Sequence, residues 1–212
     1  MLQVIETFSS IQGESTHAGR RCFFIRLSGC NLRCNYCDTA YAWSGGEDFS
    51  VEELVELAVK SKCDIVEVTG GEPLMHSETP RLLQSLLDAG LIVLLETNGS
   101  LSITDVPEAV CKIVDCKTPA SAMAEKNCFE NFDLLQPHDE VKFVISNEDD
   151  FKWSVQVIEK YKLAEKTNNL IFSPVWGRVD FQELAKWVVE SNLPIRMQLQ
   201  MHKIIWGDKK GV

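Results

Sequence analysis

The chain has 212 residues, 45% apolar and 25% charged, a globular balance that can bury one core without disulfide help and is short for two domains of about 150 residues. Thirty-one acids against twenty-one bases give a formal charge of −10, which argues against nonspecific attraction to nucleic acid or to an anionic membrane. No apolar run approaches the ~18 residues of a membrane span, and the N-terminal Met-Leu-Gln-Val-Ile-Glu lacks the basic flank of a signal peptide, so a soluble, cytoplasmic protein is expected.

In chain order, residues 1–6 alternate like a strand, and 21–28 (Arg-Cys-Phe-Phe-Ile-Arg-Leu-Ser) form a second candidate. A cysteine-bearing loop follows over 29–47. Ser50 before Val51, with Glu53 three residues on, predicts a capping box opening a helix whose apolar face is Val51, Leu54, Val55 and Ala58. Segments 64–69, 91–97, 112–116, 140–146, 169–173 and 194–200 are short, rich in branched or aromatic residues, and read as strands. Helical spacing recurs at Leu82, Leu83, Leu86 and Leu87, and again at Phe181, Leu184, Ala185 and Val188. Strands alternating with helices imply βα units and a parallel sheet. A complete (βα)8 barrel takes about 250 residues, so an α/β partial barrel of about six to seven mostly parallel strands is expected. No linker or repeat divides the chain, which reads as one domain over 1–212 with a C-terminal tail at 202–212. Active sites of such folds lie at the carboxyl ends of strands. Those ends read Arg26 to Cys30, Thr69-Gly70-Gly71-Glu72, Glu96-Thr97-Asn98-Gly99, Asp115-Cys116-Lys117, Ser146-Asn147, Ser173-Pro174 and Gln198 to His202.

Eight cysteines could suggest disulfides, but a long, core-rich chain favours reduced thiols. Cys22, Cys63, Cys111, Cys116 and Cys128 stand singly and read as small buried hydrophobes. Cys30, Cys34 and Cys37 differ: three thiols within eight residues can converge only by wrapping around a common centre. Zinc normally wants four protein ligands, and no fourth cysteine or histidine stands at suitable spacing. A cubane iron–sulfur cluster held by three thiolates keeps one iron open for a ligand the protein does not supply. The four histidines, at 17, 76, 138 and 202, share no metal-like spacing.

Cys30-x3-Cys34-x2-Cys37 resembles the cluster loop of radical S-adenosylmethionine (SAM) enzymes, and Thr69-Gly70-Gly71-Glu72-Pro73 resembles their glycine-rich segment. Ile11-Gln12-Gly13-Glu14, Phe24-Ile25-Arg26-Leu27-Ser28-Gly29-Cys30 and Cys37-Asp38-Thr39 narrow the likeness to the 7-carboxy-7-deazaguanine synthase family, from about Glu6 to Lys203. The resemblance implies a 4Fe-4S cluster on the three cysteines, SAM on the open iron, and Mg²⁺ on Thr39. It implies a radical ring contraction of 6-carboxy-5,6,7,8-tetrahydropterin to 7-carboxy-7-deazaguanine with loss of ammonia, on the route to queuosine. Ile11, Gln12, Gly13, Arg26 and Thr69 would bind substrate, with the Arg26 guanidinium on the carboxylate. Tyr36, Asp38, Gly71, Asp115, Cys116, Lys117 and Ser173 would contact SAM. A flavodoxin or ferredoxin-like electron donor and a homodimer are also implied. No side-chain acid, base or nucleophile is expected to carry the chemistry, which belongs to cluster and SAM.

Two departures from the family pattern stand out. Asp115-Cys116-Lys117 replaces a frequent Ser-Pro-Lys, and His202-Lys203 is followed by nine further residues. The alternatives are a glycyl-radical-enzyme activase of the same superfamily, a non-catalytic iron–sulfur electron-transfer module, and a zinc-stabilised binding protein.

Overall fold

In a computed structural model, which describes residues 1–207 and 209–212, the chain forms a nine-stranded sheet in the order β3-β1-β2-β4-β5-β6-β7-β8-β9. The strands are β1 (Leu2–Ile11), β2 (Arg21–Leu27), β3 (Glu47–Phe49), β4 (Ile65–Gly70), β5 (Ile92–Thr97), β6 (Cys111–Asp115), β7 (Glu140–Ile145), β8 (Asn169–Pro174) and β9 (Ile195–Met197). β2 and β4 through β9 run parallel, in agreement with the partial barrel read from the sequence. β1 adds antiparallel to β2, and β3 antiparallel to β1, which raises the strand total above the expected six to seven. The sheet is open, with β3 and β9 as its edges.

Helices α1 (Val51–Lys60), α2 (Thr79–Asp88), α3 (Glu148–Lys160), α4 (Leu163–Lys166) and α5 (Phe181–Glu190) cover the convex face. The Ser50–Glu53 capping box forms as the sequence predicts, satisfying donors that the first turn of α1 cannot. The three apolar stripes become the buried faces of α1, α2 and α5, although α5 buries fully only Leu184. The outer core divides into two halves. Leu54, Leu82, Leu83 and Leu86 pack on Val66, Val68, Val93 and Leu95; Phe151, Val157, Ile158 and Leu184 pack on Val141, Phe143, Ile145 and Phe172. A smaller inner cluster of Phe8, Cys22, Phe24, Ile65, Leu94, Cys111 and Ile113 fills the lower part of the concave face. Above it, toward the strand carboxyl ends, the inward positions turn polar.

The segment read as a strand over 194–200 is a strand only at 195–197. The amide of Gln198 still donates to Phe172 O, then the chain leaves the sheet and coils into α6 (Met201–Trp206). Gln198 and Gln200 turn instead to the loop after β1: Gln198 Nε2 donates to Ser15 O (2.7 Å), Gln200 Nε2 to Glu14 Oε1 (2.6 Å), and Met201 N to Gly13 O (3.0 Å). This seam joins the β1–β2 loop to the far end of the sheet, so the open barrel is laced shut by side chains rather than by a strand ladder. Among the described residues, no helix is long and apolar enough to cross a membrane.

Candidate active site

A cavity of about 700 Å³ opens at the carboxyl ends of the parallel strands, bounded by the cysteine loop on one side and the seam on the other. Cys30, Cys34 and Cys37 all border it. Leu32 N and Asn98 Nδ2 donate to Cys30 Sγ at 3.4 and 3.7 Å. Burial pushes the Cys34 and Cys37 thiols up, and the Lys117 ammonium pulls both back toward the thiolate. Among the described residues, no three His, Cys, Asp or Glu side chains gather closely enough around one point for a single metal ion. An all-sulfur trio spread along one cavity wall suits a cluster, in which each thiolate has its own iron.

Gly70 and Gly71 serve the loop itself. A Cβ on Gly70 would lie 2.1 Å from Leu27 O, and one on Gly71 would lie 2.0 Å from Gly29 O and 2.9 Å from Cys30 Cβ. The end of β4 therefore touches the backbone that carries Cys30, while Gly71 still borders the cavity. Glu72, fully buried, points away from the cavity and ties strand ends together: its carboxylate accepts from Leu74 N, Thr97 Oγ1 and Asn98 N.

Asp115 and Lys117, whose charges act on the Cys34 thiol, form a 2.7 Å ion pair. Burial alone would lower the Lys117 pKa, but Asp115 holds it above the ordinary lysine value. Asp115 Oδ1 and Ser173 Oγ are both buried with no hydrogen-bond partner among the described residues. The orphaned Asp115 acceptor, on the cavity wall, matches a polar ligand such as the ribose or methionyl group of SAM. Tyr36 also lines the cavity, its hydroxyl within 3.3 Å of Thr118 Oγ1 and donating to Val144 O at 3.4 Å; burial pushes its pKa up to about 12. Asp38 and Thr39 sit at the rim, with Thr39 Oγ1 donating to Asp38 Oδ1 at 2.9 Å. One hydroxyl beside one carboxylate is a partial Mg²⁺ donor set that waters and substrate would complete. Cys116 is the exception. It is 1% exposed and packs in the outer core with Phe132 and Val141, so its thiol does not line the cavity.

The cavity floor is charged. Gln12 Nε2 donates to Glu67, and Lys142 pairs with Glu96 and with Glu14 (2.9 Å). Burial and the neighbouring Glu96 charge push Glu67 well above the usual carboxylate range. Burial would raise Glu96 as well, but Lys142 holds it below that range. Thr69 Oγ1 leans on Glu96 at 3.4 Å. Arg26 lies on β2 with its Nε on Glu6 Oε1 (2.8 Å). Gly13 faces His202 across the seam, where a Cβ would come within 2.4 Å of Nδ1.

Ile11, Gln12, Gly13, Arg26, Thr69, Tyr36, Asp38, Thr39, Gly71, Asp115 and Lys117 thus border one cavity with the three cysteines, whereas Ser173 is buried and, like Cys116, does not line it. From the sequence, Glu67 and Lys142 are not singled out, Glu14 has no role of its own, and Glu96 and His202 stand at strand ends without a role; all five line the cavity. Their signal was faint: a charge inside an apolar run, as in Ile65-Val66-Glu67-Val68 or Val141-Lys142-Phe143-Val144. Of the cysteines read as buried hydrophobes, Cys22, Cys63, Cys111 and Cys116 are buried, and Cys128 is half-exposed with its thiol toward Glu130 (3.4 Å).

The Radical SAM superfamily model matches residues 24–188. The chain is 40% identical to the 7-carboxy-7-deazaguanine synthase of Koribacter versatilis, with all of both chains aligned. It is 43% identical to that of Chlorobaculum tepidum, over 100% of this chain and 97% of the relative. Among solved structures, QueE from Escherichia coli superposes with a TM-score of 0.77, 20% identity and 93% coverage of each chain, a likeness of fold. The chain therefore belongs to the radical SAM superfamily and, within it, to the 7-carboxy-7-deazaguanine synthase family.

Proposed function

We propose that this chain converts 6-carboxy-5,6,7,8-tetrahydropterin to 7-carboxy-7-deazaguanine with release of ammonia. The observation that carries this reading is full-length similarity to relatives bearing that enzyme's name, in a chain whose three cysteines, Arg26 and a carboxylate-lined floor share one cavity. When bound, the cluster and SAM supply an electron and a 5′-deoxyadenosyl radical that can take a hydrogen atom from substrate carbon.

The chain's residues bind, orient and shield. Cys30, Cys34 and Cys37 hold the cluster, and Tyr36, Asp38, Gly71, Asp115, Lys117 and Ser173 hold SAM. Arg26 takes the substrate carboxylate, and Thr39, with waters, holds Mg²⁺ against it. The Gln12–Gly13 backbone, Thr69 and the Glu67 and Glu96 carboxyls face the donor-rich edge of the pterin ring. The seam and residues 207 and 209–212, which border the cavity, exclude water from a reactive centre. A low-potential flavodoxin or ferredoxin-like donor, a homodimer and a cytoplasmic setting complete the reading.

Anaerobic turnover tests it. With reconstituted cluster, SAM, reductant and Mg²⁺, the carboxytetrahydropterin should yield a product lighter by one ammonia, and omission of Mg²⁺ should slow its formation. Formation of 5′-deoxyadenosine with the pterin unchanged would overturn the assignment. Failure to form 5′-deoxyadenosine at all would favour an electron-transfer module.

A further inference from the structure

Glu6 stands behind Arg26 and Tyr41, two residues that line the cavity. β1 and β2 pair regularly from Ile11↔Arg21 back to Glu6↔Arg26, then slip, so that the next pair is Val4↔Leu27. The extra residue, Ile5, makes a β-bulge. Val4 and Leu27 pack in the outer core, whereas Glu6 shares the inner face with Arg26, as Phe8 does with Phe24. Alternation from Phe8 already turns Glu6 inward beside Arg26, and the bulge lets the strand carry Val4 and Leu2 into the outer core directly after it. Gly46, at φ +97°, lies against the bulge so closely that a Cβ would be 2.5 Å from Val4 O.

Glu6 Oε1 accepts from Arg26 Nε at 2.8 Å and from Tyr41 Oη at 2.7 Å. Neither Nη of Arg26 finds an acceptor among the described residues. The side edge of the guanidinium is thus occupied and its two-nitrogen end is not. Tyr41 stands just beyond Thr39 on the cysteine loop, and the terminal segment rests on the same pair, with Lys210 Nζ 4.2 Å from the Tyr41 ring centre and Gly211 beside Glu6 Oε2.

The geometry points to Glu6 as a positioning residue that, held by Tyr41, fixes Arg26 so that its Nη pair is presented for bidentate capture of the substrate carboxylate. The inference deepens the proposed function and rests on the reading of Arg26 as the carboxylate clamp. A guanidinium free to rotate loses the planar match that distinguishes it from a point charge. Because Tyr41 belongs to the cysteine loop, the same hydrogen bond sets the carboxylate in register with the cluster side of the cavity.

The test uses reconstituted holoenzyme with SAM, 6-carboxypterin as a fluorescent binding probe, and pterin without the carboxylate as its control. Glu6→Ala should weaken 6-carboxypterin about tenfold, leave the control and the iron content unchanged, and add nothing in an Arg26→Ala background. Glu6→Gln, which keeps an acceptor for Nε and Oη, should recover most of the affinity. Equal weakening of both ligands, or full 6-carboxypterin affinity in Glu6→Ala when Arg26→Ala has lost it, would overturn the positioning role while leaving Arg26 as the clamp. Undiminished affinity in Arg26→Ala would remove the clamp itself, and the role of Glu6 with it.

Discussion

Glu67 and Glu96 sit on adjacent strands and face one cavity, yet their environments pull them apart. Among the described residues Glu67 has only a neutral amide, Gln12, as its hydrogen-bond donor, and burial with the nearby Glu96 charge favours its protonated form. Glu96 has Lys142, which keeps it ionised despite burial. The pair therefore offers both an acid hydroxyl and a carboxylate to a ligand. The consequence for stability follows from which state gives up the proton first. As pH rises above the usual carboxylate range, the unfolded chain releases the Glu67 proton before the folded chain does, so the folded state loses stability until the raised folded pKa is passed. Glu67→Gln has no proton to lose and keeps an acceptor for Gln12. Its stability relative to the parent should climb with pH through that interval, as read by urea denaturation across a pH series; a pH-independent difference would mean Glu67 is not held protonated. None of this was legible in the sequence. Glu67 stood out only as a charge within an apolar run, and its partners lie 29 and 55 residues away along the chain.

At the scale of elements, the patterns that could be read were those in which one face of a helix or strand is uniformly apolar. α1 and α2 satisfy this, and the parallel strands other than β9 appear within a residue or two of the segments read from the sequence. α3 escaped because its buried face is mixed: Asp150 and Ser154 are buried beside Phe151, Val157 and Ile158, with Asp150 accepting from Ala120 N and Ser146 N. Those polar atoms have tertiary partners that no periodicity encodes. Strand 194–200 was over-extended for the opposite reason, since Ile195, Met197, Leu199 and Met201 alternate perfectly while Gln198 and Gln200 are taken up by the seam. The glycine pair was recognised, but its reason was only half visible. Gly71 is required by the backbone of Gly29 and Cys30, so Gly71→Ala should displace the cysteine loop. We expect most of the iron to be lost after reconstitution while the melting temperature of the apoprotein falls by only a few degrees, because the outer core does not touch this contact. Full iron content would show that the loop adapts and that Gly71 acts otherwise.

The whole molecule places two chemistries on opposite sides of one opening. The cluster side is built from residues 28–43 resting on the ends of β4 and β5; the substrate side is built from the loop after β1 and the segment that becomes α6. They hang on different supports, the first on the parallel sheet and the second on the seam that holds Gly13, Glu14 and Ser15 against Gln198, Gln200 and Met201, and they touch at the Lys203–Asp38 ion pair (3.7 Å) and the Tyr41–Glu6 hydrogen bond. An open sheet needs such a closure, since its first and last strands share no ladder. The sequence announced the cluster side through three cysteines at fixed spacing, whereas the seam joins segments about 185 residues apart and has no local signature. The two sides should therefore fail independently. Gly13→Ala puts a methyl group 2.4 Å from His202 Nδ1 and 3.2 Å from His202 N, so the imidazole must swing away and the start of α6 must give slightly at the seam. It should raise the substrate KM about tenfold or more and increase the 5′-deoxyadenosine released per product formed, while iron content and substrate-free SAM cleavage stay near the parent values. Gly71→Ala should give the reverse order of damage, losing cluster and cleavage before substrate affinity. A parallel loss of all these properties in Gly13→Ala would mean that the seam also supports the cysteine loop, and that the cavity is one cooperative unit rather than two walls.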